Sequence, residues 1–242
     1  MVGANGSVVA FGDARDYGGA PFSAAVDLEP SPSGNGYWIV DASGNVAGFG
    51  DARTNEQPAL ALRPGETVSS LSSAGRDRGY WLFTTAGRVI PVDGAPFFGD
   101  MADVRLNGPV LDSSPTPSGR GYFLVASDGG IFTFGDASFR GSMGGIPLTQ
   151  PVQSLVPDGD GVGYWLVAAD GGIFAFDAPF HGSTGDRRLN RPVTGMVADG
   201  SEGYLMVAED GGIFAFGSAR FHGSLGDRAL ATTIVAAATV PA

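Results

Sequence analysis

The sequence predicts an all-β fold, a six-bladed β-propeller, and three observations carry that reading. A unit of about forty residues recurs along the chain. Each copy breaks into short apolar runs separated by Gly-rich turns, the pattern of strands in sandwiches, barrels and propellers. The two ends are complementary fragments of one further copy.

The clearest copies start at Gly121, Gly163 and Gly203 and read GYFLVASDGGIFTFGDASFRGS, GYWLVAADGGIFAFDAPFHGS and GYLMVAEDGGIFAFGSARFHGS. Looser copies start at Gly36 (GYWIVDASGNVAGFGDA) and Gly79 (GYWLFTTAGRVIPVDGA), so the starts lie 43, 42, 42 and 40 residues apart. Val2 to Ala14 aligns on Val40 to Ala52 and on Val167 to Ala178 but lacks the GYW opening. Thr233 to Val240 matches the stretch before each GY, such as Val152 to Pro157, and no GY follows it. The tail therefore supplies what the head lacks, which predicts one ring, residues 1–242, closed by its N- and C-terminal strands. A chain that begins in mid-strand is also expected to be a piece of a longer multidomain protein. Another blade number or a β-solenoid is the alternative; a solenoid needs polar caps, and neither end has one.

Within one unit, Val152–Val156 reads as a first strand, Tyr164–Ala168 as a second and Ile173–Phe176 as a third, and Phe180–Gly182 begins a fourth. Asp170-Gly171-Gly172 is a tight turn, since Gly tolerates positive φ and Asp bonds its own backbone. Third strands recur six times: Val8–Phe11, Val46–Phe49, Val89–Val92, Ile131–Phe134, Ile173–Phe176 and Ile213–Phe216. Neither of their faces is polar, so each sheet needs a neighbour on both sides. The first strands are rich in Ser and Ala (Ser69, Ser70, Ser72, Ser73, Ala236, Ala237, Ala238), which suits the crowded position beside a central channel.

Composition narrows the function classes. The net charge is −11, and Lys is absent, so every basic side chain apart from two His is Arg. An acidic domain repels phosphate, which argues against nucleic acid and anionic membranes. With no Cys there is no disulfide framework and no thiolate site. No apolar run reaches the about 18 residues of a membrane-spanning helix, and no signal peptide is visible.

The string GYWLVA-(S/A)DGG-IF-x-FGDA-x-F-x-GS resembles a repeat of secreted and cell-envelope proteins of actinobacteria, where it is often appended to peptidases, amidases or esterases. The resemblance covers essentially the whole chain and is tightest from Gly121 onward. It implies a propeller in a secreted or cell-surface setting, and it carries no catalytic residues. Two copies depart from it: Thr54-Asn55-Glu56 stands where the pattern has Phe-x-Gly, and Thr85-Ala86-Gly87-Arg88 replaces Ser-Asp-Gly-Gly.

Candidate sites are weighed against folding roles. Asp13, Asp51, Asp93, Asp136 and Asp177 recur at the third turn, and Asp128, Asp170 and Asp210 precede Gly pairs; both sets read as turn formers bonded to backbone N–H groups. Asp158-Gly159-Asp160-Gly161 has acidic spacing but lacks the remaining ligands of a calcium loop. No cofactor is expected, with calcium the least remote. His181 and His222 are too few and too far apart for zinc. Tyr37-Trp38, Tyr80-Trp81 and Tyr164-Trp165 read as interblade packing. The position that varies between fixed flanks is Phe98, Arg140, His181 and His222, an outer strip able to contact a ligand. The turns at Asn5, Ser43, Ala86, Asp128, Asp170 and Asp210 are expected at the channel mouth.

No nucleophile elbow and no phosphate-cradling loop occurs, so an enzyme is not expected. The expected function is a non-catalytic extracellular binding or scaffold propeller that recognises a protein or a neutral cell-wall glycan. The alternatives are a structural, oligomer-forming spacer and a hydrolase that uses the channel mouth.

Overall fold

A computed structural model describes residues 1–55, 57–58, 60–75 and 78–240. Glu56, one of the three residues where the pattern breaks, lies outside them. The described residues are all-β, without a helix. In chain order the strands are β1 (Val2–Gly3), β2 (Ala25–Pro30), β3 (Gly36–Asp41), β4 (Val46–Gly50), β5 (Val68–Ser73), β6 (Tyr80–Thr84), β7 (Val89–Val92), β8 (Val110–Pro115) and β9 (Gly121–Ala126). They continue with β10 (Ile131–Gly135), β11 (Val152–Pro157), β12 (Tyr164–Ala168), β13 (Ile173–Phe176), β14 (Val193–Ala198), β15 (Gly203–Ala208), β16 (Ile213–Gly217) and β17 (Ile234–Ala236). Strands β2 to β16 form five antiparallel three-stranded meanders, and β1 pairs with β17.

The core lies between sheets, not within them. Each hydrophobic cluster straddles two successive repeats, as where Trp81 and Phe83 of β6 meet Val110, Tyr122 and Leu124 of the next sheet. Trp165 and Val167 meet Val193, Met196 and Tyr204 in the same manner. Val2 packs with Ala25, Leu28 and Ile39, and Ile234 with Val207 and Leu225. The sheets are thus blade-like, each buried on both faces by its neighbours, and the arrangement is propeller-like.

A second link repeats at every boundary. The first N–H of an inner strand donates to the hairpin turn of the preceding sheet: Val110 to Thr85 O at 3.0 Å, Val152 to Ser127 O at 3.0 Å and Val193 to Ala169 O at 2.8 Å. The terminal sheet joins this series on both sides, because Ile234 donates to Glu209 O and Ala25 to Ala4 O, each at 2.8 Å. The turns expected at the channel mouth therefore dock against the following inner strand.

Two sequence expectations need correction. Val8–Phe11 is not a strand. Val8 makes a single bridge to Val2, and Met1 and Val9 exchange backbone hydrogen bonds at 3.0 Å. The fourth strand expected at Phe180–Gly182 does not form either, nor do its counterparts. Their backbone groups are committed elsewhere: the N–H of His181 donates to the Tyr204 hydroxyl, which donates to the carbonyl of Gly182.

The looser third copy compensates for its altered turn. Arg88 reaches Glu66 at 2.9 Å, and the Thr84 hydroxyl donates to the same carboxylate at 2.6 Å. Burial alone would raise the Glu66 carboxyl, but these bonds and the Arg63 N–H outweigh it and hold it below the usual range.

Candidate functional site

Each outer-strip residue lies beside a boundary between sheets, and the fold gives three of the four a shared backbone duty. The N–H of Phe98, Arg140 and His181 donates to Tyr122, Tyr164 and Tyr204 of the next sheet at 3.2, 3.0 and 3.1 Å. Their side chains diverge. Phe98 is half-buried, with ring centroids 6.2 Å from Trp81 and 5.8 Å from Tyr122. His181 is half-buried against Trp165 and Tyr204, with its Nε2 2.9 Å from Ser201 O. Arg140 is exposed and sits 3.7 Å from Asp177. His222 is exposed and lies against Gly12. The strip is a series of equivalent positions, one to a sheet, and the four do not converge on one pocket.

The residue before each of them is exposed in every case. Phe97, Phe139, Phe180 and Phe221 occupy one repeat position and are 56%, 57%, 60% and 59% exposed. A large apolar side chain open to water at four consecutive repeats is not explained by packing within the chain. Sequence reasoning passed over these residues because they are the fixed flank of the strip, and a fixed apolar residue reads as core.

The aspartates divide into two chemistries. Asp128, Asp170 and Asp210 each accept the N–H two residues on at 2.9 Å, as turn formers do. Asp51 and Asp136 accept side-chain hydroxyls from the turn between the first two strands: Ser31 and Thr116 at 2.7 and 2.8 Å, with Ser33 and Ser118 completing each pair. Those bonds, with Arg120 beside it, hold the Asp136 carboxyl below its ordinary range. Asp160 accepts the Val162 N–H.

Residues of the inner strands line a channel-like cavity of about 320 Å³, among them Asp27, Glu29, Asp112, Met196 and Ala236–Ala238. The carboxylates bridge sheets. Asp27 accepts the Leu71 N–H at 2.9 Å, Glu29 that of Ser73 at 2.9 Å, and Asp112 that of Leu155 at 3.0 Å. Burial, and after it the charge of Asp112, pushes Asp27 up to about 7. Burial likewise pushes Glu29 up to about 8 and Asp112 to about 6, against the backbone hydrogen bonds that pull them down. All three border the channel and so keep some accessible area, yet protein flanks them closely. Their presence in otherwise small-residue strands was the signal that sequence reading missed.

No known family profile matches the chain, and no curated protein sequence does. Among solved structures it is similar to a chain in the crystal structure of a nidogen/laminin complex, with a TM-score of 0.59 and 11% identity over 83% of this chain and 78% of that one. At that identity the likeness concerns the fold.

Proposed function

We propose that this chain is a six-bladed propeller, completed by pairing of Val2–Gly3 with Ile234–Ala236, that works as a non-catalytic protein-binding module outside the cell. The observation that carries the binding role is the row of Phe97, Phe139, Phe180 and Phe221, exposed at one repeat position on four consecutive sheets. Repeated at one position of the scaffold, these side chains offer one apolar contact per repeat to a partner that spans neighbouring sheets. Phe98, Arg140, His181 and His222 vary beside them and give each contact its own chemistry. The similar fold found in a nidogen/laminin complex, itself a protein–protein assembly, supports the reading. The extracellular setting rests on the resemblance of the repeat to secreted and envelope proteins. The net charge of −11 favours a basic or neutral partner.

The test is a binding screen of the folded domain against purified envelope and secreted proteins, repeated with Phe139→Ser/Phe180→Ser. These side chains are more than half exposed, so melting should hold while a genuine partner is lost. A partner retained at full affinity by the double variant would refute the rim.

A further inference from the structure

Five tyrosines open the GY motifs, and four of them fasten their sheet to the one before. Tyr37, Tyr122, Tyr164 and Tyr204 each donate to a glycine carbonyl at 2.6 Å, on Gly18, Gly99, Gly141 and Gly182. Each also accepts the N–H of the residue before that glycine. Tyr80 is the exception. Its side chain is fully buried, and its hydroxyl has no hydrogen-bond partner among the described residues. The fastening segment is the one that reads Thr54-Asn55-Glu56. Here the Asn55 N–H faces the Asp93 carboxylate at 3.4 Å and not the tyrosine.

A second loss accompanies the first. Where a Trp lies in the second strand, an aromatic ring from the strip covers it: Phe98 at 6.2 Å from Trp81 and His181 at 6.4 Å from Trp165. Over Trp38 the equivalent residue is Asn55, and no ring is there. What remains is a cleft of about 500 Å³ whose walls include Ser33, Trp38, Asp51, Arg53, Asn55 and Asp93. That volume lies within the about 300–1,000 Å³ of small-ligand sites. Tyr80 adjoins it, with its ring centroid 5.8 Å from that of Trp38.

We propose that this cleft binds a neutral saccharide. Its wall chemistry selects that class. Asp93 accepts hydroxyl protons, while Arg53 and the Asn55 amide donate to hydroxyl oxygens, so a group that does both is matched on every side. Arg53 has no acidic partner within salt-bridge distance among the described residues, and its charge opposes a cation. The carboxylates oppose an anion. Trp38 is largely buried, with its indole N–H donated to Arg53 O at 2.9 Å, and only the edge that borders the cleft is offered to the ring carbons. The site is separate from the phenylalanine rim and does not depend on a protein partner there.

The experiment titrates the folded protein with neutral disaccharides of N-acetylglucosamine, glucose, mannose, galactose and arabinose, followed by calorimetry and tryptophan emission. Trp81 and Trp165 are 0% exposed and Trp38 7%, and Trp38 alone of the three borders the cleft, so an emission change on binding is assigned to Trp38. Asn55→Phe places at this boundary the kind of ring that covers Trp81 and Trp165 and obstructs the cleft without removing a core contact. At least one disaccharide should bind the wild type. Asn55→Phe should weaken it by about tenfold or more, Arg53→Ala should weaken it severalfold, and Phe139→Ser/Phe180→Ser should leave it unchanged. A panel without any binder overturns the proposal, as does binding that survives Asn55→Phe. If putrescine or inorganic phosphate binds in the cleft while every saccharide fails, the ligand class is wrong.

Discussion

The Tyr204 hydroxyl lies 2.6 Å from the carbonyl oxygen of Gly182, across the boundary between two sheets. The same hydroxyl accepts the His181 N–H at 3.1 Å, so one phenol satisfies two backbone groups that no ladder serves. Removing the oxygen leaves both groups without a partner. Tyr204→Phe, Tyr164→Phe and Tyr122→Phe should each cost about 1–3 kcal/mol of unfolding free energy, the net bond plus the orphaned groups. Tyr80→Phe removes a hydroxyl that has no partner among the described residues and should be neutral or slightly stabilising. Urea titrations of the four variants give the comparison. Equal losses at Tyr80 and Tyr204 would refute the assignment of the fastening.

Glycine in the F-x-G segment answers to the ring of the next sheet. At Gly141 φ is +142°, and an added Cβ would lie 2.3 Å from Phe176 Cδ1. Gly195 has no positive φ, and the nearest atom to an added Cβ is 3.9 Å away. Gly141→Ala should therefore destabilise by about 1–3 kcal/mol, as overpacking does, while Gly195→Ala should fall within about 0.5 kcal/mol of the wild type. Thermal melts of the pair decide it, and a harmless Gly141→Ala would mean the boundary relaxes freely.

The channel carboxylates predict an unusual pH response. Asp27, Glu29 and Asp112 have folded values raised to about 7, 8 and 6 from ordinary values of 3.8, 4.5 and 3.8. Between those limits the folded chain binds more protons than the unfolded one, so stability falls as pH rises. Their contribution is complete below about pH 4 and gone above about pH 8. Asp136 and Glu66, held low, act in the opposite sense and weaken the fold below their ordinary range. Unfolding free energy should accordingly decline from pH 5 to pH 8. Glu29→Gln keeps the acceptor for the Ser73 N–H and should stabilise at pH 8, on the order of 1 kcal/mol, with little effect at pH 5. A flat profile in the wild type would sink this account.

Much of the architecture was legible because it is written once per period. Strands, turns and the packing role of Tyr and Trp follow from apolar runs and Gly positions that recur in register. What escaped depends on partners one repeat away. The F-x-G segment looks like a strand, since nothing in its own residues says that its N–H and C=O face a tyrosine hydroxyl 22 to 24 residues later in the chain. Asp27 and Asp112 escaped for a different reason. The equivalent positions hold Ser70, Ser154, Gly195 and Ala236, so alignment reads the site as tolerant of anything small. The break at Thr54 and Asn55 was visible in the sequence, but its consequence needed the fastening to be known first.

The pairing of the termini gives the last prediction. Val2 lies opposite Ala236 and Gly3 opposite Ile234, and the Ala4 N–H donates to Thr233 O at 2.9 Å. Ile234 also seals Val207 and Leu225 of the preceding sheet. Deleting residues 233–242 strips the partner from Val2–Gly3 and opens apolar flanks on two sheets. Each side chain that loses its burial costs about 1.5–3 kcal/mol, so melting should fall by on the order of 10 °C for a chain of this length. The freed strand edge is a template for pairing with another chain, and the truncated protein should elute as dimers and larger species. Light scattering after size exclusion measures this directly. A truncated chain that stays monomeric and melts at the wild-type temperature would mean that the terminal strand does not close the ring.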